Sequence, residues 1–395
     1  MSWETVKLGE VADFIRGITY KPHDLVENFS SDSVVCMRTA NVQTILDESS
    51  LLSVPKKFIK NEDKFLKEGD LLVSTANSWN LVGKCSWVPQ LDYPATAGGF
   101  ISILRTTKKL DKKFLYYWFS SPNIQALARN CGRQTTNISN MDLNRCLEIK
   151  IPLPPLDEQR RIAAILDKAD ELRQKRKQAI AKLDELVQAT FIDMFGDPVT
   201  NPKGWPFYKL GELCEVGTGS TPSRKNSQNF EGSIPWVKST EVNWGKIYDT
   251  GEKISDEGKK NSRLKIYPRG TVIVALYGQG ITRGKSAILE IDATLNQACA
   301  ALITKELVNN YFLFSYLKLS YTRLRQQARG GNQENLNLNI IKSFPIYLPE
   351  KTIQDRWKEF FLKNEIQRNM MDSQYKEIDK LFQSLQHQAF NGELT

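Results

Sequence analysis

The chain has two histidines, His23 and His387, and six cysteines: Cys36, Cys85, Cys131, Cys146, Cys214 and Cys299. The cysteines form no C-x-x-C pair and the histidines lie far apart. The spacing therefore offers neither a structural zinc set nor a Cys–His nucleophile pair. Phosphate-binding motifs fail at identifiable residues. "YGQGITRGK" (277–285) approaches G-x-G-x-x-G through Gly278 and Gly280, but the third glycine arrives one residue late, at Gly284. "GTGSTPSRKN" (217–226) lacks the closing Gly-Lys-Ser/Thr of a P-loop. "DPVTNPKGW" (197–205) has the outline of the Asp/Asn-Pro-Pro-aromatic motif of amino-methyltransferases, but Lys203 and Gly204 interrupt it. No catalytic residue and no metal ligand is assigned, which disfavours a stand-alone nuclease or methyltransferase.

The chemistry that remains is recognition. Six turn-bounded stretches concentrate Asn, Gln, Arg, Lys and Thr. Asn and Gln can pair with adenine, and Arg with guanine, in the major groove of DNA. Cations beside small residues can take phosphates. In the first half of the chain the candidates are Arg38; Thr75, Asn77 and Trp79 of "TANSWN"; Lys84; and Arg133, Gln134 and Asn137 of "CGRQTTN". In the second half they are Thr218, Ser220, Thr221, Arg224 and Lys225 of "GTGSTPSRKN", with Arg224 and Lys225 as phosphate neutralisers. To these are added Lys238; Gln279, Arg283 and Lys285; Asn296 and Gln297 of "TLNQ"; and Asn332, Gln333 and Asn335 of "GGNQENLN". Polar caps on strands and turns are the competing reading of any one stretch. The net charge of +9 and pI near 9.0 favour a polyanion as partner. The positive excess sits mainly outside the helical stretches, with 20 Lys and Arg against 15 Asp and Glu in residues 191–350.

These stretches are carried by a chain written twice. "WETVKLGEVADFIRG" (3–17) returns as "WPFYKLGELCEVGTG" (205–219), "MRTANV" (37–42) as "VKSTEV" (237–242), and "GKC" (83–85) as "GKS" (284–286). From Leu153-Pro154 onward the copies lock at a spacing of 195, pairing Gln159 with Gln354, Arg173 with Arg368 and Asp184 with Asp379. Short β-type runs such as "SVVCMRT", "TVIVALYG" and "ACAALIT" predict a small curved sheet in each block, closed by a helical segment. Pro152, Pro154 and Pro155 forbid helix before 156, and Gly196-Asp197-Pro198 ends the helix that follows. In that helix Ile165, Leu172, Leu183 and Leu186 fall on an a/d seam, as do Phe360, Met371, Ile378 and Leu381 in its repeat. The predicted class is α+β: two mixed α/β domains separated by two long helices that pair antiparallel as an intramolecular coiled coil, in a pseudo-twofold repeat. The expected segments are 1–152, 153–196, 197–347 and 348–395. A spacer of ~34 residues is roughly 50 Å long.

"IPLPPLDEQRRIAAILDKADELRQKRKQAIAKLDELVQATFIDMFGDP" resembles the central conserved region of type I restriction-modification specificity subunits. "LFQSLQHQAFNGEL" (381–394) resembles their distal conserved region. The resemblance covers the full length. It implies a subunit without catalytic activity or bound cofactor, in which each globular block is a target-recognition domain reading one half of a split, asymmetric sequence. It implies two modification subunits, docked on helices 157–194 and 352–390, that methylate adenine with S-adenosylmethionine, forming a core that restriction subunits can join to cut DNA with ATP and magnesium. One departure stands out: "LPEKTIQDRW" replaces "LPPLDEQRRI" in the second copy, which bears on where that helix starts. The alternatives are a non-catalytic coiled-coil scaffold and the specificity subunit of a methylation-only system. The scattered thiols point to the cytoplasm. The opening residues carry neither the basic nor the apolar region of a secretory signal, and no stretch suits a membrane span.

Overall fold

The computed structural model describes residues 3–135, 137–278, 280–328 and 335–394. It divides into two units, residues 1–177 with 373–395, and residues 178–372. Each contains one block of sheet and short helices, part of the central helix Leu156–Phe195, and part of the distal helix Lys351–Asn391.

In the first unit the strands Ala12–Arg16, Ile101–Thr106, Leu71–Ser74 and Cys85–Trp87 lie side by side in that order, all antiparallel. A second sheet orders Ser53–Pro55, Ser33–Met37 and Ala95–Ala97, the last two parallel. The second unit repeats the plan with Cys214–Thr218, Cys299–Thr304, Val272–Ala275 and Ser286–Leu289, and adds the parallel edge strand Lys246–Ile247. Its small sheet orders Lys253–Ile254, Ile234–Val237 and Thr294–Leu295. The central strands are buried on both faces, which explains unbroken runs such as VIVA.

The shared sequence of the repeat marks its fasteners. In "KLGE" the backbone N–H of Lys7 donates to the Glu10 carboxylate at 2.9 Å, and that of Lys209 to Glu212 at 3.0 Å. The strands that begin these motifs, Thr5–Lys7 and Phe207–Lys209, pair with those leading into the long helices, Lys150–Pro152 and Pro345–Tyr347. Gln159 and Gln354 are fully buried and make the same three bonds. Gln159 accepts from the Asp111 N–H at 2.7 Å and donates to the carbonyls of Lys109 and Pro154. Gln354 accepts from the Asn309 N–H at 2.8 Å and donates to Leu307 and Pro349. Asp111 and Asn309 are themselves the N-caps of the helices Lys112–Ser120 and Asn310–Leu319. The two long helices therefore start in equivalent register, at Leu156 and Lys351, despite the altered "LPEKTIQDRW". The glutamine, not the second proline, fixes that start.

Both long helices exceed the expected spacer, at 40 and 41 residues, or roughly 60 Å each at 1.5 Å per residue. The central helix ends at Gly196, whose φ of 84° suits glycine. Antiparallel pairing is visible within each unit. In the first, Arg161 donates to the Leu394 carbonyl at 2.9 Å and Arg173 meets Asp379 at 2.9 Å, so one helix ascends as the other descends. In the second, Arg368 meets Asp184 at 2.7 Å. These two ion pairs are equivalent under the 195-residue repeat.

The apolar seam is phased differently from the expectation. Leu172, Leu186 and Leu381 are more than half exposed, and Ile165, Phe360, Met371 and Ile378 are only partly covered. Ile162 and Leu166 instead enter the first unit's core with Phe114, Phe382 and Ala389, while Phe191, Phe195 and Trp357 enter the second with Phe312. The reason is geometric. Each helix must bury one stripe against a globular block as well as against its partner helix, and that wider stripe takes the flanking positions. Of the eight seam residues named above only Leu183 is buried.

Each block is also fastened to a helix by charge. In the first unit Asp167 accepts from Tyr117 Oη at 2.5 Å and from Lys113 Nζ at 3.0 Å. In the second, Lys246 on the edge strand bridges Glu290 at 2.9 Å and Glu365 of the distal helix at 2.6 Å. Burial alone would lower the Lys246 pKa, but bonds to Glu365 and Glu290 outweigh it and raise it.

Candidate nucleic-acid interface

In the first unit two candidate stretches meet through backbone pairing. Ala76–Asn77 pairs antiparallel with Ser139–Asn140, and Arg133 bridges to Asn140. "TANSWN" and "CGRQTTN" thus form one surface, on which Arg133, Gln134 and Asn137 are exposed. Thr75 is partly buried and its hydroxyl faces the Phe100 carbonyl at 3.3 Å, while Asn77 donates to Ser74 Oγ at 3.1 Å. Trp79 opens a short helical turn and is half-buried. Arg38 is tied to the Ser50 carbonyl at 3.0 Å beside a cavity of about 500 Å³ shared with Tyr20 and Phe100. Lys84 is tied to the Gln43 side chain.

In the second unit the stretch 217–226 lies against 294–297. Ser220 N–H donates to the Leu295 carbonyl at 3.0 Å, and Thr221 donates to Gln297. Lys238 follows the strand Ile234–Val237, which pairs with Thr294–Leu295. The small residues here serve the protein's own backbone. A Cβ on Gly219 would stand 1.6 Å from the Leu295 carbonyl, and one on Gly217 2.3 Å from Tyr267 Oη. Thr218 donates to the Cys299 carbonyl at 2.7 Å, and Asn296 caps its own turn through Ala298 at 3.1 Å. The sequence reading that small residues beside cations serve phosphate binding is therefore corrected for these glycines, which are required by close approach of the protein's own backbone and side chains.

Lys285 is a second correction. It is 8 % exposed and donates to Asn243 Oδ1 at 2.7 Å, so its ammonium holds a loop and is withdrawn from the surface. The equivalent Lys84–Gln43 pair in the first copy explains why Gly-Lys recurs. Arg283 and Asn335 are partly buried. Gln279, Asn332 and Gln333 lie outside the described residues. Lys225 is exposed without a partner among the described residues.

Arg224 stands in a constructed setting. Its Nη2 donates to Glu252 at 2.7 Å, and the guanidinium lies 4.6 Å from the centre of the Phe230 ring and 5.7 Å from that of Trp236. Lys238 Nζ takes the other Glu252 oxygen at 2.7 Å. Bonds from Lys238 and then Arg224 hold the Glu252 carboxyl below its ordinary pKa. Nothing in the sequence marked Glu252 or Phe230, because their link to Arg224 exists only once the strands pair.

The family model for the type I restriction modification DNA specificity domain matches residues 1–182 and again 202–369. The chain belongs to the type I restriction-modification DNA specificity family. Both halves of the chain carry the specificity domain, which accounts for the duplicated frame. Among curated members, the chain is 22% identical over 421 residues to the StySPI specificity subunit of Salmonella potsdam, covering 100% of this chain and 89% of that one. It is 23% identical over 423 residues to the EcoKI specificity subunit of Escherichia coli K12, with the same coverage. The crystal structure of the type I system S subunit from M. genitalium shares the fold, with a TM-score of 0.57 at 16% identity over 99% of this chain and 96% of that one. Among the described residues no cluster of His, Cys, Asp and Glu is placed to hold a metal, and no helix is long and apolar enough to cross a membrane.

Proposed function

We propose that this specificity-family chain is the non-catalytic, sequence-reading subunit of a type I restriction-modification complex. Each specificity domain reads one half of an asymmetric bipartite DNA target, and the paired long helices set the gap between halves. The observation that carries this reading is a duplicated frame presenting two different side-chain sets. The first set is drawn from 75–80 and 131–137, the second from 217–226, 238 and 294–297. Two unlike readers on like frames predict two unlike half-sites. The exposed Leu172, Leu186, Ile366, Met370 and Leu381 on the long helices supply apolar surface where modification subunits would dock. Those subunits would bring S-adenosylmethionine and methylate adenine. Restriction subunits, where present, would bring ATP and magnesium. Six unpaired, buried thiols fit a reducing cytoplasm.

The test is to map methylated adenines in DNA from cells that express the chain with its modification partner. A split, asymmetric motif is expected. Replacing residues 1–152 by the matching block of another family member should change one half of that motif only. Changes in both halves, or methyl transfer by the purified chain alone, would overturn the reading. Removing seven residues from the central helix should change the tolerated gap or abolish assembly, and an unchanged gap with full activity would refute the helices' role.

A further inference from the structure

The geometry points to Arg224 as a guanine-reading residue of the second half-site, not a phosphate neutraliser. This rests on the function proposed above. A phosphate contact is made well by a mobile cation with its full charge available, and the exposed Lys225 next in sequence is such a group. Arg224 differs in three respects. Its charge is partly offset by Glu252, which it shares with Lys238, so its pull on a phosphate is reduced. Its plane is fixed between the Glu252 carboxylate and the face of Phe230, so presenting it to a base costs little further side-chain entropy. Its side chain remains 58% exposed; Nη2 spends one of its two N–H groups on Glu252, and Nε and Nη1 have no partner among the described residues, so one two-donor edge that includes the second Nη2 N–H stays free.

A planar donor fork, buttressed on one side and open on the other, matches the O6 and N7 acceptors of guanine. The platform is itself anchored. Trp236 N–H meets the Glu252 carbonyl at 3.2 Å, Phe230 packs edge-on to Trp236, and Asn229 holds the Ser223 carbonyl at 2.9 Å. Glu252 is then a positioning residue, and Lys225 keeps the phosphate role.

The experiment uses the full chain with its modification partner and a library of DNA duplexes randomised across the target. The wild type is expected to select at least one guanine in the second half-site. Arg224→Lys keeps the charge but loses the fork. It should lose roughly ten- to a hundredfold preference for that guanine while every other position is retained. Putting 7-deazaguanine at that position should weaken binding of the wild type and leave Arg224→Lys unaffected. Glu252→Gln should reduce the same preference, and Lys225→Ala should lower affinity for all sequences and flatten the salt dependence. A selected half-site without guanine, or an Arg224→Lys variant that keeps its guanine, overturns the inference alone. A wild-type complex that selects no sequence in the second half refutes the proposed function instead.

Discussion

At the scale of the residue, the buried glutamines test the frame most directly. Replacing Gln159 by Leu strands one N–H and two carbonyls in a site closed to water, so a loss of about 2–4 kcal/mol is expected from urea unfolding. Gln354→Leu should cost a similar amount, and a neutral result for either would refute its role as a fastener. Glu290 contributes to the acid sensitivity of the second unit. Burial raises its pKa, but bonds from Lys246 and Arg269 prevail and hold it below its ordinary 4.5. A depressed carboxyl contributes fully above its unfolded value, and that contribution drains away as pH falls through the folded value. Acid unfolding should therefore steepen below about pH 4.5, and Glu290→Gln should remove part of that slope. Sequence alone reached the candidate reading residues unevenly. Arg133, Gln134 and Asn137 are visible as polar turn residues and do stand exposed. Lys285 looked identical in kind, yet its neighbour Asn243 withdraws it, and no local pattern reveals such a partner.

At the scale of the element, the limits of the central helix were written in Pro152, Pro154, Pro155 and Gly196, because those residues act on their own backbone, whereas the start of the distal helix, which lacks the second proline, rests on the buried Gln354. The face that each helix buries was not. A heptad count assumes one partner, whereas each helix serves two, so Leu166 is buried and Leu172 is not. Leu166→Ala should cost about 2–5 kcal/mol, and Leu172→Ala under about 0.5 kcal/mol in the isolated chain. Equal losses would restore the original seam. The two equivalent ion pairs differ in setting. The Arg173 side chain is 17% exposed, also bonds Asp170, and lies 4.3 Å from the Phe382 ring centre, whereas that of Arg368 is 44% exposed. Arg173→Ala should cost about 2–3 kcal/mol, and Arg368→Ala under about 1 kcal/mol. A double-mutant cycle on each pair with its aspartate separates the coupling from lost packing.

At the scale of the whole molecule, duplication was legible because it needs only the chain compared with itself. The pairing of the two helices followed from it by economy. The reciprocal salt links carry this one step further. Arg173 and Asp184 both belong to the central helix, and their distal counterparts are Arg368 and Asp379. A fragment truncated after residue 196 would thus own a lock and its matching key, facing a twin in opposite orientation. Two such twins should assemble, as sedimentation can show, and the resulting homodimer would prefer palindromes.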